Sequence, residues 1–484
     1  MKNKILKIVT LFSLAFTFIG CESSENMNTD PNSFYSAKPT SLLTNAQKGI
    51  GDYLSTPNVN INNFRLTMQY WQETTYVDES NYDFVNRNVS NNVWSNYYIN
   101  VLQNLVQAKK IINTYQPTAS ETPTWPTTKK NQLAVLDVLQ VFVYSNLVDT
   151  YGNIPYTTSN DIANNQLPAY DKATDIYSSL ITRLKTDINN FDTSGDSFTE
   201  GDVFYQGNVA KWKIFANSLL LKLGITISDV NPTLAQSTVN AAVSGGVMTS
   251  SADDCLMNYE TASPNYSQLF ASVVASGRND YVAGKTIIDY MNSYSDERRS
   301  AFFQTVGTTG LYVGATIGAP ASFTTKSHVG EYAYTPTTSA IILNYTEVAF
   351  YLAEAAARWS PTTAEMAYNN AVTASFLQWG LTSTEANNYL VRNPYNATNW
   401  KKSIGEQAWV AYIDQGSTSW NTWRRLDYPV LLAPSTAVSQ AEGKVPVRLQ
   451  YPTSEASTNG TNYNAAATAI GGDKLTTKIF WDKF

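Results

Sequence analysis

LAVLDVLQVFVYSNLVDTYGNIPY, residues 133–156, is the stretch on which the reading of the fold turns. From Leu133 to Asp149 apolar residues occupy nearly every side of a helical wheel, and a helix that is apolar all round is covered on all sides by protein. This segment is therefore the expected centre of a helical core. Its exit can be read as well: Gly152 accepts positive φ and Pro155 cannot continue a helical ladder, so the chain turns sharply after the helix.

Further helices are expected on both sides of it. Trp94, Tyr97, Val101, Leu105, Ala108, Ile112 and Tyr115 recur at steps of three and four and fall on one face of a long helix. Tyr177, Leu180, Leu184, Ile188 and Phe191 make a second stripe, and Trp212, Phe215, Leu219 and Leu223 a third. From about 245 to 340 the periodicity weakens, with Gly307, Gly310, Gly314 and Gly318 close together, which predicts loops with short strands. The helical pattern resumes through Ile341, Tyr345, Val348, Leu352, Ala355 and Trp359, with Glu354 and Arg358 as an i,i+4 pair on the polar side. Ser360-Pro361 reads as an N-cap and first helical residue, opening a helix striped by Tyr368, Val372, Phe376 and Trp379 and ended by Gly380. Paired helices joined by tight turns predict a mainly α fold of tetratricopeptide-like helical repeats with a loop-rich insertion, although no segment fits the strict ~34-residue pattern.

The 484 residues are 43% hydrophobic and 15% charged, enough apolar material for a large core and no sign of overall disorder. A formal charge of -6, without a dense run of Lys and Arg, excludes a nucleic-acid footprint. The 31 tyrosines and 11 tryptophans, beside many Asn, Thr and Ser, give a surface able both to stack and to hydrogen-bond, which suits sugars. Aromatics inside the helical stripes are core by the same reading.

The N-terminus reads as an address. Lys2, Lys4 and Lys7 precede an apolar run, Ile8 to Ile19, that is shorter than the ~20 residues of a spanning helix. Phe18-Ile19-Gly20-Cys21 resembles a lipobox, with Phe18 in place of the usual Leu, so residues 1–20 are a signal peptide and Cys21 the lipid-bearing residue. Residues 21–40, rich in Asn, Pro and Ser, form the tether, and 41–484 one domain. Glu22-Ser23-Ser24-Glu25 reads either as the acidic export signal of Bacteroidetes-type surface lipoproteins or as a solvated part of that tether. Cys255 is the only other cysteine, so no disulfide framework exists. No later segment has ~18 uninterrupted apolar residues, so the chain sits on a membrane through its lipid without crossing it.

Three separated patterns resemble the SusD/RagB family of nutrient-binding outer-membrane lipoproteins, in the branch described as starch-binding and associating with the outer membrane. Asp149-Thr150-Tyr151-Gly152-Asn153-Ile154-Pro155-Tyr156 is similar to its D-x-x-G-D/N-x-P-Y turn. Glu347-Val348-Ala349-Phe350-Tyr351-Leu352-Ala353-Glu354-Ala355-Ala356 resembles its E-x-x-F-x-x-A-E-A helix. Gln407-Ala408-Trp409, then Trp420 and Trp423-Arg424-Arg425-Leu426-Asp427-Tyr428-Pro429, matches its late Q-x-W and W-R-R-x-x-Y-P segment. These motifs read as structural: the guanidinium groups can stack on aromatics or clamp a carboxylate such as Asp427 or Glu354. The resemblance implies a helical scaffold without a cofactor, with an oligosaccharide or peptide as cargo and a SusC-like TonB-dependent outer-membrane transporter as partner.

Enzyme chemistry finds little support. His328 is the only histidine, which excludes zinc sites built on two or three of them. There is no G-x-S-x-G elbow, Walker loop or G-x-G-x-x-G, and Ser327 beside His328 is only sequence adjacency. A glycosidase-type carboxylate pair, ~5–9.5 Å apart, is a spatial property and stays open as the runner-up. Asp192, Asp196, Glu200 and Asp202 lack the EF-hand spacing and read as a solvated acidic turn in preference to a calcium loop. No metal site is assigned. The ligand candidates are aromatics outside the stripes: Trp71, Tyr76 and Tyr82 between early helices, and Tyr281 and Tyr312 in the insertion. Asp78, Arg278 and Asn279 would hydrogen-bond sugar hydroxyls. The function expected is glycan capture at the cell surface.

Overall fold

The computed structural model describes residues 37–484. The expected signal peptide, Cys21, the acidic tetrad and the expected tether up to residue 36 lie outside the described residues. The first helix, α1 (Pro39–Ser55), begins within the span read as tether. After strand β1 (Trp71–Glu73) comes a long helix, α2, running through Val89–Ser95, a π-helical stretch Asn96–Leu102, and Gln103–Thr114. Its buried residues Tyr97, Val101, Leu105, Ala108 and Ile112 follow the expected stripe, and the π-helical stretch coincides with its consecutive steps of four.

Helix α3 (Trp125–Tyr151) is buried almost continuously from Ala134 onward. By length and composition alone it would pass as membrane-crossing, yet 89% of its apolar window is enclosed by protein, which explains why it is apolar all round. Gly152, at φ +85°, ends it, its N–H donating to Val148 O at 2.8 Å. Then follow α4 (Ala173–Asn190), α5 (Val209–Thr226) and α6 (Pro232–Gly245). Asn208 and Asn231 cap α5 and α6 by accepting Lys211 N–H and Leu234 N–H at 3.0 and 3.2 Å, and Pro232 opens α6 where a missing N–H costs nothing.

The irregular middle contains β2 (Cys255–Met257), β3 (Tyr281–Ala283), a helix not foreseen, α7 (Lys285–Ser293), and β4 (Ala340–Leu343). Two two-stranded antiparallel sheets result. β1 pairs with β3 (Trp71 opposite Ala283, Glu73 opposite Tyr281), and β2 pairs with β4 (Leu256 opposite Ile341). Ile341, assigned above to a helical stripe, is therefore a strand residue. The helices then resume as α8 (Tyr345–Trp359), α9 (Ala364–Gln378), α10 (Ser383–Arg392), α11 (Trp400–Ala411), α12 (Gly416–Leu426) and α13 (Gly460–Ala469). Ser360 terminates α8 instead of capping α9, because Pro361–Thr363 form a separate 3-10 turn.

Helices pack in pairs, α1 on α2, α3 on α4, α5 on α6 and α8 on α9, and α8 also touches α5 and α11. This is the mainly α, repeat-like architecture expected. Two buried glutamates on α8 tie it together. Glu347 accepts from Lys222 Nζ, Gln415 Nε2 and the Tyr351 hydroxyl at 2.9, 2.9 and 2.6 Å. Glu354, placed on the polar side by the sequence, is instead 1% exposed. Arg425 clamps it with two nitrogens and Arg358 adds a third contact while also gripping Asp229. Burial alone would raise the Glu354 carboxyl, but the two arginines hold it below the usual glutamate range. Arg424 clamps no carboxylate among the described residues. It lies over Trp420 at 3.5 Å and near Trp481 at 4.6 Å. Asp427 sits in the left-handed conformation that ends α12. Asp149, buried on α3, accepts from Trp481 Nε1 at 2.9 Å and from the Tyr177 hydroxyl.

Candidate functional site

The β1–β3 ladder brings two segments about two hundred residues apart side by side, and a cleft of about 280 Å³ opens at one end of it. Chain around Asn58–Asn60, the turn after β1 and the run before β3 supply its walls. Thr74 fastens the two edges together: its N–H donates to Asp280 O at 2.9 Å and its hydroxyl to Asn279 O at 2.7 Å. Tyr76 follows at φ +52° and is 69% exposed, so the turn pushes a whole aromatic ring out at the lip of the cleft. Facing it, exposed Arg278 is braced by Asp280, Nε to Oδ2 at 2.8 Å. A large exposed ring held beside a polar, concave surface is the composition a sugar site uses.

The sequence candidates divide between this cleft and the core. Tyr76, Arg278 and Tyr281 line the cleft together. Tyr281 is only 8% exposed, its hydroxyl donating to Pro57 O at 2.8 Å, so it forms the wall's base. Trp71 is 1% exposed and packs on Tyr281 at 5.4 Å beneath the ladder, with Arg65 over its ring; it presents no face to solvent. Tyr82 is fully buried, its hydroxyl facing Gln69. These rings lie outside the helical stripes because they belong to a small sheet and its turn, which bury aromatics as helices do. Asp78 is exposed at the start of a 3-10 turn and Asn279 is exposed beside Arg278, but neither lines the cleft. Tyr312 lies elsewhere, half-buried under the Arg299 guanidinium at 4.6 Å. Sequence reasoning missed Asn58, Asn60, Arg87, Ser272, Ser276 and Asp280 on the cleft walls, since no local pattern links them. It also missed Glu73, two positions from Trp71.

Glu73 sets the electrostatics. It lines the cleft but is 4% exposed, and accepts from the Ser80 N–H and hydroxyl at 2.9 and 2.7 Å. Burial, with the adjoining Glu79 carboxyl adding to it, pushes Glu73 up to about 8, against the opposing effect of Ser80. Glu79, fully buried and ion-paired to Arg87, is raised too, mainly by burial. At about 8, the Glu73 carboxyl is neutral at neutral pH. Both carboxyls of a glycosidase pair must reach the scissile bond, whereas Glu79 is 0% exposed and ion-paired to Arg87. His328 stacks on Phe323 at 3.8 Å with Nε2 on Phe323 O, while buried Ser327 Oγ accepts Val313 N–H at 3.0 Å; the two do not form a nucleophile–base pair.

Among the described residues no cluster of three or more His, Cys, Asp or Glu side chains is arranged to hold a metal. In the acidic turn, Asp202 points inward and accepts from Gln47 Nε2, Gly207 N–H and Trp212 Nε1 at 2.7, 2.9 and 2.7 Å. Asp192 is occupied by Ser194.

A family profile described as SusD-like, "Starch-binding associating with outer membrane", matches residues 31–452. The chain belongs to this SusD-like family. Solved structures agree with the assignment. A chitin-binding protein is 28% identical, with a TM-score of 0.81 over 92% of this chain and 100% of its own. A SusD homologue from Bacteroides uniformis is 25% identical, with a TM-score of 0.75 over 92% of this chain and 99% of its own. A chitin-binding SusD homologue from Flavobacterium johnsoniae, at 22% identity and a TM-score of 0.75 over 92% and 97%, shares the fold. No curated protein matches the sequence. Within the SusD-like fold, the three motifs of this chain serve the scaffold: Asp149, Glu347, Glu354, Arg424 and Arg425 are all buried and occupied.

Proposed function

We propose that this SusD-like chain binds an oligosaccharide at the Tyr76–Arg278 cleft and performs no chemistry on it. The observation that carries the reading is the exposed Tyr76 ring, held by a positive-φ turn at the lip of a cleft whose wall is Arg278, Asp280 and Tyr281. An aromatic face meets the C–H face of a pyranose while the polar wall takes hydroxyls. Trp71 and Tyr281 support the floor, and neutral Glu73 can share a proton with a hydroxyl without imposing charge on a neutral ligand. Asp78, Asn279 and Tyr312 would act only as outer contacts for a longer chain. Similarity to a chitin-binding protein supports a glycan over a peptide cargo.

The rest of the reading follows from the N-terminal signals and the family. Cys21 anchors the protein by lipid to the outer face of the outer membrane, and a SusC-like TonB-dependent transporter receives the cargo. A glycan-and-peptide array, read for wild type and Tyr76→Ala, tests the site: glycan binding lost in the variant supports it, and peptide-only binding overturns it. Cys21→Ala, expected to release the protein into soluble fractions, tests the anchor. Pull-down from mild detergent, expected to recover a large β-barrel protein, tests the partner.

A further inference from the structure

A larger cavity, about 450 Å³, lies between the β2–β4 sheet and the end of α9, well within the usual ~300–1,000 Å³ of ligand sites. Strand alternation builds its floor. Cys255, Met257, Ala340 and Ile342 are buried toward the core, so Leu256 and Ile341, paired across the sheet, point the other way. A face that met only water would be polar; this one is aliphatic and forms one side of the cavity. Tyr345, Tyr332 and Trp379 form the walls, the last two edge to face at 5.0 Å.

The cavity has one unbalanced charge. Asp254 lines it and accepts Tyr345 N–H at 2.7 Å, but has no ion-pair partner among the described residues. The other lining carboxylate, Asp414, is clamped by Arg65 at 2.7 Å, and no Lys or Arg lines the space. Of the groups facing Asp254, Asp253 repels it, Tyr205 and Cys255 are kept protonated by burial, and Lys211 attracts it while bonded to Ala252 O at 2.9 Å. Burial, chiefly, pushes the Asp254 carboxyl up to about 6, which leaves it ionised at neutral pH and short of a counter-charge. An aromatic wall beside a lone carboxylate is the chemistry that recognises ammonium groups.

We propose that this cavity is a second binding site, taking an amino sugar whose ammonium meets Asp254 while its apolar ring face rests on Leu256 and Ile341. The site is separate from the Tyr76 cleft and goes beyond its function. Calorimetry on the full chain in mild detergent, with a glucosamine tetramer and an N-acetylglucosamine tetramer, tests it. Asp254→Asn keeps an acceptor for Tyr345 N–H and so preserves the local fold. It is expected to weaken glucosamine-tetramer binding about tenfold, the usual scale for a charge-assisted contact. Wild-type affinity for the same ligand should fall as pH drops below about 6, where Asp254 gains its proton. The indole ¹⁵N–H signal of Trp379, assigned with Trp379→Phe, should move on titration. An unchanged affinity in Asp254→Asn, an unmoved Trp379 signal, or equal affinity for the acetylated tetramer would each overturn the proposal. Tyr76→Ala should leave this binding intact, so failure of the first cleft is read separately, from loss or retention of neutral-glycan binding.

Discussion

Two sets of buried carboxylates distinguish the scaffold from the cleft. On α8, Glu347 and Glu354 are closed off by Lys222, Arg425 and Arg358, each charge met by a charge with good geometry. Beside the cleft, Glu73 and Glu79 adjoin each other, with Arg87 the only ion-pair partner between them among the described residues. On α8 each buried charge is thus met by a charge, whereas beside the cleft burial leaves Glu73 raised to about 8. Under-compensated groups gather where a ligand can complete them.

The strongest way to break this contrast is to treat both regions alike. Trp71→Ala removes a core indole and should destabilise the fold by about 3–5 kcal/mol, as large aromatic deletions do. If urea unfolding shows little loss and only binding falls, the division drawn here between floor and lip is wrong. Arg425→Ala leaves buried Glu354 with Arg358 as its remaining ion-pair partner, which should cost about 3 kcal/mol, the lower end for a broken buried pair, by the same measurement. The pair also gives a pH signature. Because the folded Glu354 carboxyl lies below its unfolded value, its stabilisation is complete above that value. It is lost as pH falls below about 4. A melting series from pH 7 to 3 should show a smaller acid loss in Glu354→Gln than in wild type, once each is compared with its own value at pH 7.

The lip should behave oppositely. Tyr76→Ala is expected to weaken glycan binding by about 1–3 kcal/mol, the range of stacking anchors, with no change in unfolding midpoint. A pH-dependent effect is expected at Glu73. Its folded carboxyl is raised, so the folded state holds a proton that the unfolded chain releases, and stability drains away as pH rises from about 4 toward about 8. Glu73→Gln should flatten stability over that window and keep glycan affinity constant up to pH 9, where wild type weakens. Parallel pH profiles for the two proteins would show that Glu73 carries no proton of consequence.

Long-period patterns fixed the helical body in advance, because a buried helix must repeat its apolar residues near every 3.6 positions whatever surrounds it. Leu133 to Asp149, the stripe from Tyr97 to Ile112 and the break at Gly152 each express that local requirement. The separated motifs were legible too, since each is a short segment with its own geometry. What the sequence alone could not decide was which aromatics outside the stripes face water. Trp71, Tyr76 and Tyr82 look equivalent along the chain, yet a three-residue ladder to Tyr281–Ala283 buries the first, a positive-φ turn exposes the second, and the third is covered. Likewise nothing local marks Glu354 as buried or pairs Leu256 with Ile341. Those facts depend on contacts between segments tens to hundreds of residues apart, and only the folded chain brings such segments within reach of one another.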